Sequence, residues 1–183
     1  MPQTLEEQLD LDDYIGFWKR VLIHFIDFLI LALPTYALNR ISVSAAESMD
    51  SAFPLLIQFV LLTGFNLFMV VRYGGTPGKL IFKVRIINEE AGYLSLKQAV
   101  IRDSFFIINA FLAVIVSLDT KELSAVSSSL VNWSPLATDL NVFFGWVIVI
   151  DCLIIVFTRR NRALHDMMAG TFVVNKAAID HLG

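Results

Sequence analysis

The sequence predicts an all-α membrane protein with four transmembrane helices and a small cytoplasmic β-ribbon. Three observations carry that expectation: the composition, four long apolar runs and the placement of the basic residues. Hydrophobic residues make up 56% of the 183 and charged residues only 17%, with a mean hydropathy of +0.67, whereas about a quarter of an ordinary soluble domain is charged. The apolar runs cover residues 21–38, 52–71, 104–118 and 140–157. They leave no room for a separate soluble domain of useful size.

The chain opens with an acidic segment, residues 1–15, carrying Glu6, Glu7, Asp10, Asp12 and Asp13. A cleavable signal needs a basic start and a charge-free core. An acidic start and Asp27 within the first run fit neither requirement, so that helix is expected to stay in the mature protein. The membrane domain is assigned to residues 16–176 and a C-terminal tail to 177–183.

Orientation follows from the bases. Lys19 and Arg20 precede the first run, Arg72, Lys79, Lys83, Arg85, Lys97 and Arg102 lie between the second and third, and Arg159, Arg160, Arg162 and Lys176 follow the fourth. Only Arg40 and Lys121 fall in the other two connections. The positive-inside rule then places both termini and the long middle loop in the cytoplasm, and a bacterial inner (plasma) membrane is the expected location. The third run is short, ~22 Å against a hydrocarbon core of ~30 Å. Parity still requires it, because the second and fourth runs both end in basic flanks. The loop with Ser127, Ser128, Ser129 and Pro135 reads as irregular, with Trp133 as an interfacial anchor.

Two cytoplasmic fragments are β-rich, 84–87 and 171–174. A lone strand leaves its backbone unpaired, so the two are expected to pair with each other. The order of features also recurs. Arg20–Asp27 and Arg102–Asn109 share one spacing, and the second and fourth runs each lead to a short strand ending in Asn88 (VRIIN) or Asn175 (TFVVN). An internal duplication would produce this, and so would the cheap resemblance of hydrophobic segments.

Each apolar run holds one acid or carboxamide: Asp27, Asn66, Asn109 and Asp151. At 1.5 Å per residue each lies roughly 7 to 9 Å inside the basic end of its run. An unpaired polar group in hydrocarbon is costly, and groups at equal depth are natural partners. The expectation is therefore one shared inward layer, with Asp27 and Asp151 as a proton- or cation-carrying pair and Asn66 and Asn109 as neutral ligands. His24, one turn from Asp27, is a candidate to share its proton. A structural reading of the same residues is an interhelical hydrogen-bond clamp. Near the cytoplasmic mouth, Arg20, Arg102, His165 and Asp166 form an expected charge cluster.

Phe17-Trp18-Lys19-Arg20 followed by Asp27, the Gly75-Thr76-Pro77-Gly78-Lys79 segment leading to Val84, then Arg102, and finally Arg162-Ala163-Leu164-His165-Asp166 with Ala169-Gly170-Thr171 together resemble the RDD family. The resemblance covers about Gly16 to Val174. It places the family's motif residues at Arg20, Asp27 and Asp166, and implies a multi-pass membrane protein, with cation or proton antiport suggested for some members.

Other features point less far. The TPGK segment lacks the first glycine and the hydroxyl residue of a phosphate loop and reads as a tight turn at the membrane surface. Arg159, Arg160 and Arg162 read as topology anchors, with anionic lipid binding as the functional option. A single cysteine, Cys152, excludes an intrachain disulfide, and three histidines (His24, His165, His181) with no thiolate pair argue against a metal site. No Ser or Cys has an evident base beside it, so an enzyme is not expected, and neither is a cofactor or a nucleic-acid partner. The expected partners are the bilayer and a second copy of the chain or another membrane protein, since four short helices make a narrow path. A transport-related function leads; a membrane scaffold or assembly factor with a basic cytoplasmic face competes.

Overall fold

A computed structural model describes residues 5–119 and 133–180. Its helices are α1 (Leu5–Gln8), α2 (Phe17–Met49), α3 (Phe53–Tyr73), α4 (Pro77–Ile81), α5 (Leu96–Arg102), α6 (Ser104–Asp119), α7 (Ser134–Phe157), α8 (Leu164–Met168) and α9 (Lys176–Asp180). Strands β1 (Val84–Asn88) and β2 (Thr171–Asn175) complete the described elements, with a short 3-10 turn at Leu11–Asp13. Three stretches, Phe17–Met49, Phe53–Ile81 and Ser134–Phe157, are long and apolar enough to cross a membrane. A fourth is available if α5 and α6 count as one span bent by 66°. The fold is the all-α membrane architecture with a small ribbon.

The ribbon has the expected partners. β1 and β2 pair antiparallel, with Val84 opposite Asn175 and Ile87 opposite Phe172. Alternation along the strands sorts their side chains to two faces. Val84, Ile86 and Val173 pack with Ile15, Ile23, Val70, Leu94 and Ala99. Ile87, Phe172 and Val174 pack with Leu5, Leu9, Tyr14 and Ala178. A two-stranded ribbon is marginal alone; here both faces are covered, one of them by residues from the two ends of the chain.

Three local expectations are corrected. The first helix does not stop at Leu38 but continues to Met49, so Arg40 is helical and the connection to α3 is residues 50–52. A polar stretch ends an apolar run without ending a helix, because Asn39, Arg40 and Ser42 can all continue the backbone ladder. Pro135 is not in an irregular loop but opens α7, where a missing N–H costs nothing. The TPGK segment is not a simple turn: Pro77 sits at the start of a one-turn helix after Thr76. Lys121, Ser127, Ser128, Ser129 and His181 lie outside the described residues, while Trp133 stands exposed just before α7.

The chain divides into two compact units. One comprises Met1–Ile30, Asn66–Ser104 and Val149–Gly183 and contains the ribbon and nearly all the buried charge. The other comprises Leu31–Phe65 and Phe105–Ile148. In the second unit Ala46, Leu55 and Leu118 form a small core, and Phe59 meets Phe111 edge-on at 5.7 Å.

Candidate functional site

Asp166 is the centre of the first unit's charge. It lies in α8 with its side chain fully buried. Arg20 Nη1 donates to Asp166 Oδ2 at 2.7 Å, and Arg102 donates to Oδ1 through Nε at 3.1 Å and Nη2 at 2.9 Å. The Ala163 amide also donates to Oδ2. Arg20 is anchored further by donating to the Ile15 carbonyl (3.0 Å) and the Asn161 carbonyl (2.6 Å). Burial alone would raise the Asp166 carboxyl, but the guanidiniums of Arg20 and Arg102 outweigh it and hold it well below the ordinary carboxylate range.

His165, the next residue, joins this cluster to Asp151. The His165 amide donates to Asp151 Oδ1 at 2.9 Å, and His165 Nδ1 meets Asp151 Oδ2 in a very short contact. His165 Nε2 lies 3.1 Å from Arg102 Nη2 and 3.4 Å from Asp166 Oδ1. A guanidinium only donates. For the Arg102 contact to be a hydrogen bond, Nε2 must therefore be the bare nitrogen and Nδ1–H must face Asp151. A second proton on the ring would exchange an acceptor toward Arg102 for a donor toward Asp166.

Asp103 adds a third carboxylate at the bend between α5 and α6. It accepts from Asn66 Nδ2 at 2.6 Å and lies 3.4 Å from Arg102 Nη1. Three buried carboxylates (Asp103, Asp151, Asp166) thus face two buried guanidiniums, Arg20 and Arg102. With His165 neutral the cluster carries one negative charge in excess, and one further proton on the His165–Asp151 pair makes it neutral.

Asp27 stands in a separate arrangement. Its Oδ2 accepts from Thr76 Oγ1 (2.6 Å) and its Oδ1 from the Gly78 amide (2.7 Å). Lys79, itself buried, lies 3.3 Å from Thr76 Oγ1. Gly78 is required at this spot, because a Cβ there would meet the Ile23 carbonyl at 2.8 Å and Asp27 Cγ at 2.9 Å. One device is therefore used twice: an acid inside a long helix accepts a hydrogen bond from the amide of the second residue of a one-turn helix, Gly78 of α4 for Asp27 and His165 of α8 for Asp151. Each such helix has unsatisfied N–H groups to offer.

The single polar layer is not what forms. Asp27, Asn66 and Asp151 each take different partners within the first unit, and Asn109 lies in the second, where Asn141 Nδ2 donates to its carbonyl (2.9 Å) and its Oδ1 (3.1 Å). No hydrogen bond joins Asp27 to Asp151 among the described residues. Equal depth along four helices fixes height but not azimuth, and backbone amides exposed at chain breaks are nearer donors than another acid. His24 is exposed and makes no hydrogen bond to Asp27 among the described residues. Arg20, Arg102, His165 and Asp166, by contrast, are brought together by direct contacts.

Asp103 and Asn141 escaped the reading of the sequence, while Thr76, Gly78 and Lys79 were read as a family motif and a turn, not as the surroundings of Asp27. Asp103 had a signal: an acid beside a basic residue at the start of an apolar run, where a buried charge needs a partner. Arg162, read as a topology anchor, is held in the fold, with its guanidinium 4.3 Å from the Phe172 ring centroid and Nη2 donating to the Asp166 carbonyl at 3.2 Å. Among the described residues no group of three or more His, Cys, Asp or Glu could hold a metal ion.

Comparison with curated proteins and with solved structures gave no match. The model of the RDD family matches residues 14–170, a stretch that includes Arg20, Asp27, Asp151 and Asp166. With its membrane-spanning helices and most of its length inside that match, the chain belongs to the RDD family.

Proposed function

We propose that this RDD protein is a proton-coupled cation transporter of the inner membrane, with its ribbon and termini cytoplasmic, and that the exchanging proton resides on the His165–Asp151 pair. The observation that carries the reading is the cluster's charge. Buried charges are tolerated only when paired, and Arg20, Arg102, Asp103, Asp151 and Asp166 come out one negative charge in excess when His165 is neutral. Taking up a proton neutralises the site. It also withdraws the acceptor that Arg102 Nη2 uses and offers a donor to Asp166, so protonation bears on the ion pairs linking α2, α5 and α8. A switch of this kind needs a local charge change acting on a structural element with two arrangements. A narrow four-helix path favours a homo-oligomer as the working unit.

The test is flux. In proteoliposomes carrying an internal pH dye and an acid interior, external Na+ or K+ should drive alkalinisation, and Asp151→Asn should reduce the rate roughly a hundredfold, the scale of a lost proton-transfer group. Wild-type flux in Asp151→Asn would remove the pair as the proton carrier.

A second reading has its own support. Both oxygens of Asp27 and of Asp166 are fully engaged by protein donors, which suits a fixed scaffold whose exposed Arg159 meets anionic lipid or a membrane partner. No cation-dependent flux in the wild-type protein would favour it.

A further inference from the structure

In the second unit a cavity of about 240 Å³ lies between α2, α3 and α6. Most of its lining residues are apolar, Leu55, Phe59 and Val114 among them, but Asn39, Gln58, Thr63 and Ser117 also line it, and none of the described lining residues is charged. Gln58 and Thr63 stand in the middle of an apolar span. Polar groups at that position ordinarily face a neighbouring helix or a water-filled space. Among the described residues Gln58 Oε1 is buried without a hydrogen-bond partner, although a buried acceptor of this kind is normally satisfied by protein or by ordered water.

The space is far larger than the roughly 10–15 Å³ a single water needs, and several polar side chains surround it, which is what a stable buried water requires. A lipid chain could fill the volume, but it has no hydrogen to donate to Gln58. Position supplies a route for water. Leu55 is close to the start of α3 and Ser117 close to the end of α6, so the cavity begins near the ends of those helices that lie away from the ribbon-bearing connections. Thr63 lies ten residues into α3, ~15 Å deep or about half the ~30 Å hydrocarbon core.

We propose that this cavity is a water-filled vestibule that admits small uncharged hydrogen-bonding molecules, water first, to mid-membrane depth. Gln58 is its principal acceptor, and the uncharged lining disfavours a bound ion. The inference is independent of the transport reading, since it concerns solvent access and not flux.

The experiment uses the full chain in proteoliposomes with Cys152→Ala to remove the native thiol. Thr63→Cys and the control Leu61→Cys, whose parent residue is 53% exposed on the outer surface of α3, are treated with iodoacetamide, a small, uncharged, water-soluble thiol reagent. The vestibule should let Thr63→Cys react roughly tenfold or more faster than Leu61→Cys, because the reactive thiolate forms in water and is suppressed in apolar surroundings. Adding Gln58→Leu should slow the Thr63→Cys reaction severalfold. Ala113→Cys, on α6 and also lining the cavity, repeats the comparison if Thr63→Cys fails to fold. Rates at Thr63→Cys and Ala113→Cys no greater than at Leu61→Cys, with all three thiols reacting after denaturation, would overturn the proposal, as would Gln58→Leu leaving the rate unchanged.

Discussion

Arg20 and Asp166 stand 146 positions apart in the chain and share a hydrogen-bonded ion pair of 2.7 Å, with side chains 7% and 0% exposed. The pair ties the head of the first span to the short helix before β2, and Arg102 closes the same carboxylate from α5. Removing the carboxylate leaves two guanidiniums buried without their counter-charge. Asp166→Asn is expected to cost about 3–5 kcal/mol, read as a fall in thermal unfolding temperature in detergent. A loss of less than about 1 kcal/mol, the range of exposed pairs, would show that the pair is not buried as described.

The same carboxyl gives a pH dependence of defined sign. Its folded value is depressed below the ordinary one, so its stabilising contribution is complete above the unfolded value of about 3.9 and is lost as pH falls through the depressed folded value. Melting temperature should therefore decline as pH is lowered from about 4. Asp166→Asn, starting lower, should show a shallower decline over that window. Parallel pH profiles for the two proteins would contradict the assignment.

At Gly78 the prediction is steric. A methyl group there meets the Ile23 carbonyl, which is backbone, and the Asp27 carboxylate, which its hydrogen bonds to Thr76 and the Gly78 amide hold in place. Gly78→Ala should destabilise by about 1–3 kcal/mol, the usual range for overpacking. Gly145→Ala, where an added Cβ meets nothing within 4 Å, should be neutral or slightly stabilising in a helix. Equal effects at the two positions would mean that α4 is not docked against Asp27.

Asn141→Leu tests the second unit. It deletes both hydrogen bonds to Asn109, and interhelical polar contacts in membranes average about 0.6 kcal/mol and reach about 1.7. A loss in that range is expected in the unfolding equilibrium, with cation-dependent flux retained. Abolished flux in a protein of near wild-type stability would assign Asn109 a transport role that its contacts do not suggest.

Much of the architecture was legible from hydropathy and charge, because long apolar runs dictate spans and two β-rich fragments had only each other to pair with. The cluster of Arg20, Arg102, His165 and Asp166 was legible for a related reason: buried charges must find opposite charges at similar height. Azimuth was not legible. Asp27 takes its partners from a one-turn helix that begins at a proline, and Asp151 takes its own from the backbone and ring of His165, choices set by where backbone amides are left unsatisfied. Helix length beyond an apolar run was also hidden, since Asn39 and Arg40 continue α2 as readily as they would form a loop.

The protonation of the His165 ring decides whether the proposed proton site exists. It is faced by Asp151 on α7, Arg102 on α5 and Asp166 on α8, with Arg20 of α2 on the far side of Asp166. In protein with nitrogen-15-labelled histidine, the ring resonances identified by comparison with His165→Gln should show Nδ1 protonated and Nε2 bare in the neutral ring. Asp151→Asn should abolish the Nδ1–H preference. A ring protonated at Nε2 alone, or one whose nitrogens are unchanged by Asp151→Asn, would contradict the proton site on which the proposed function rests.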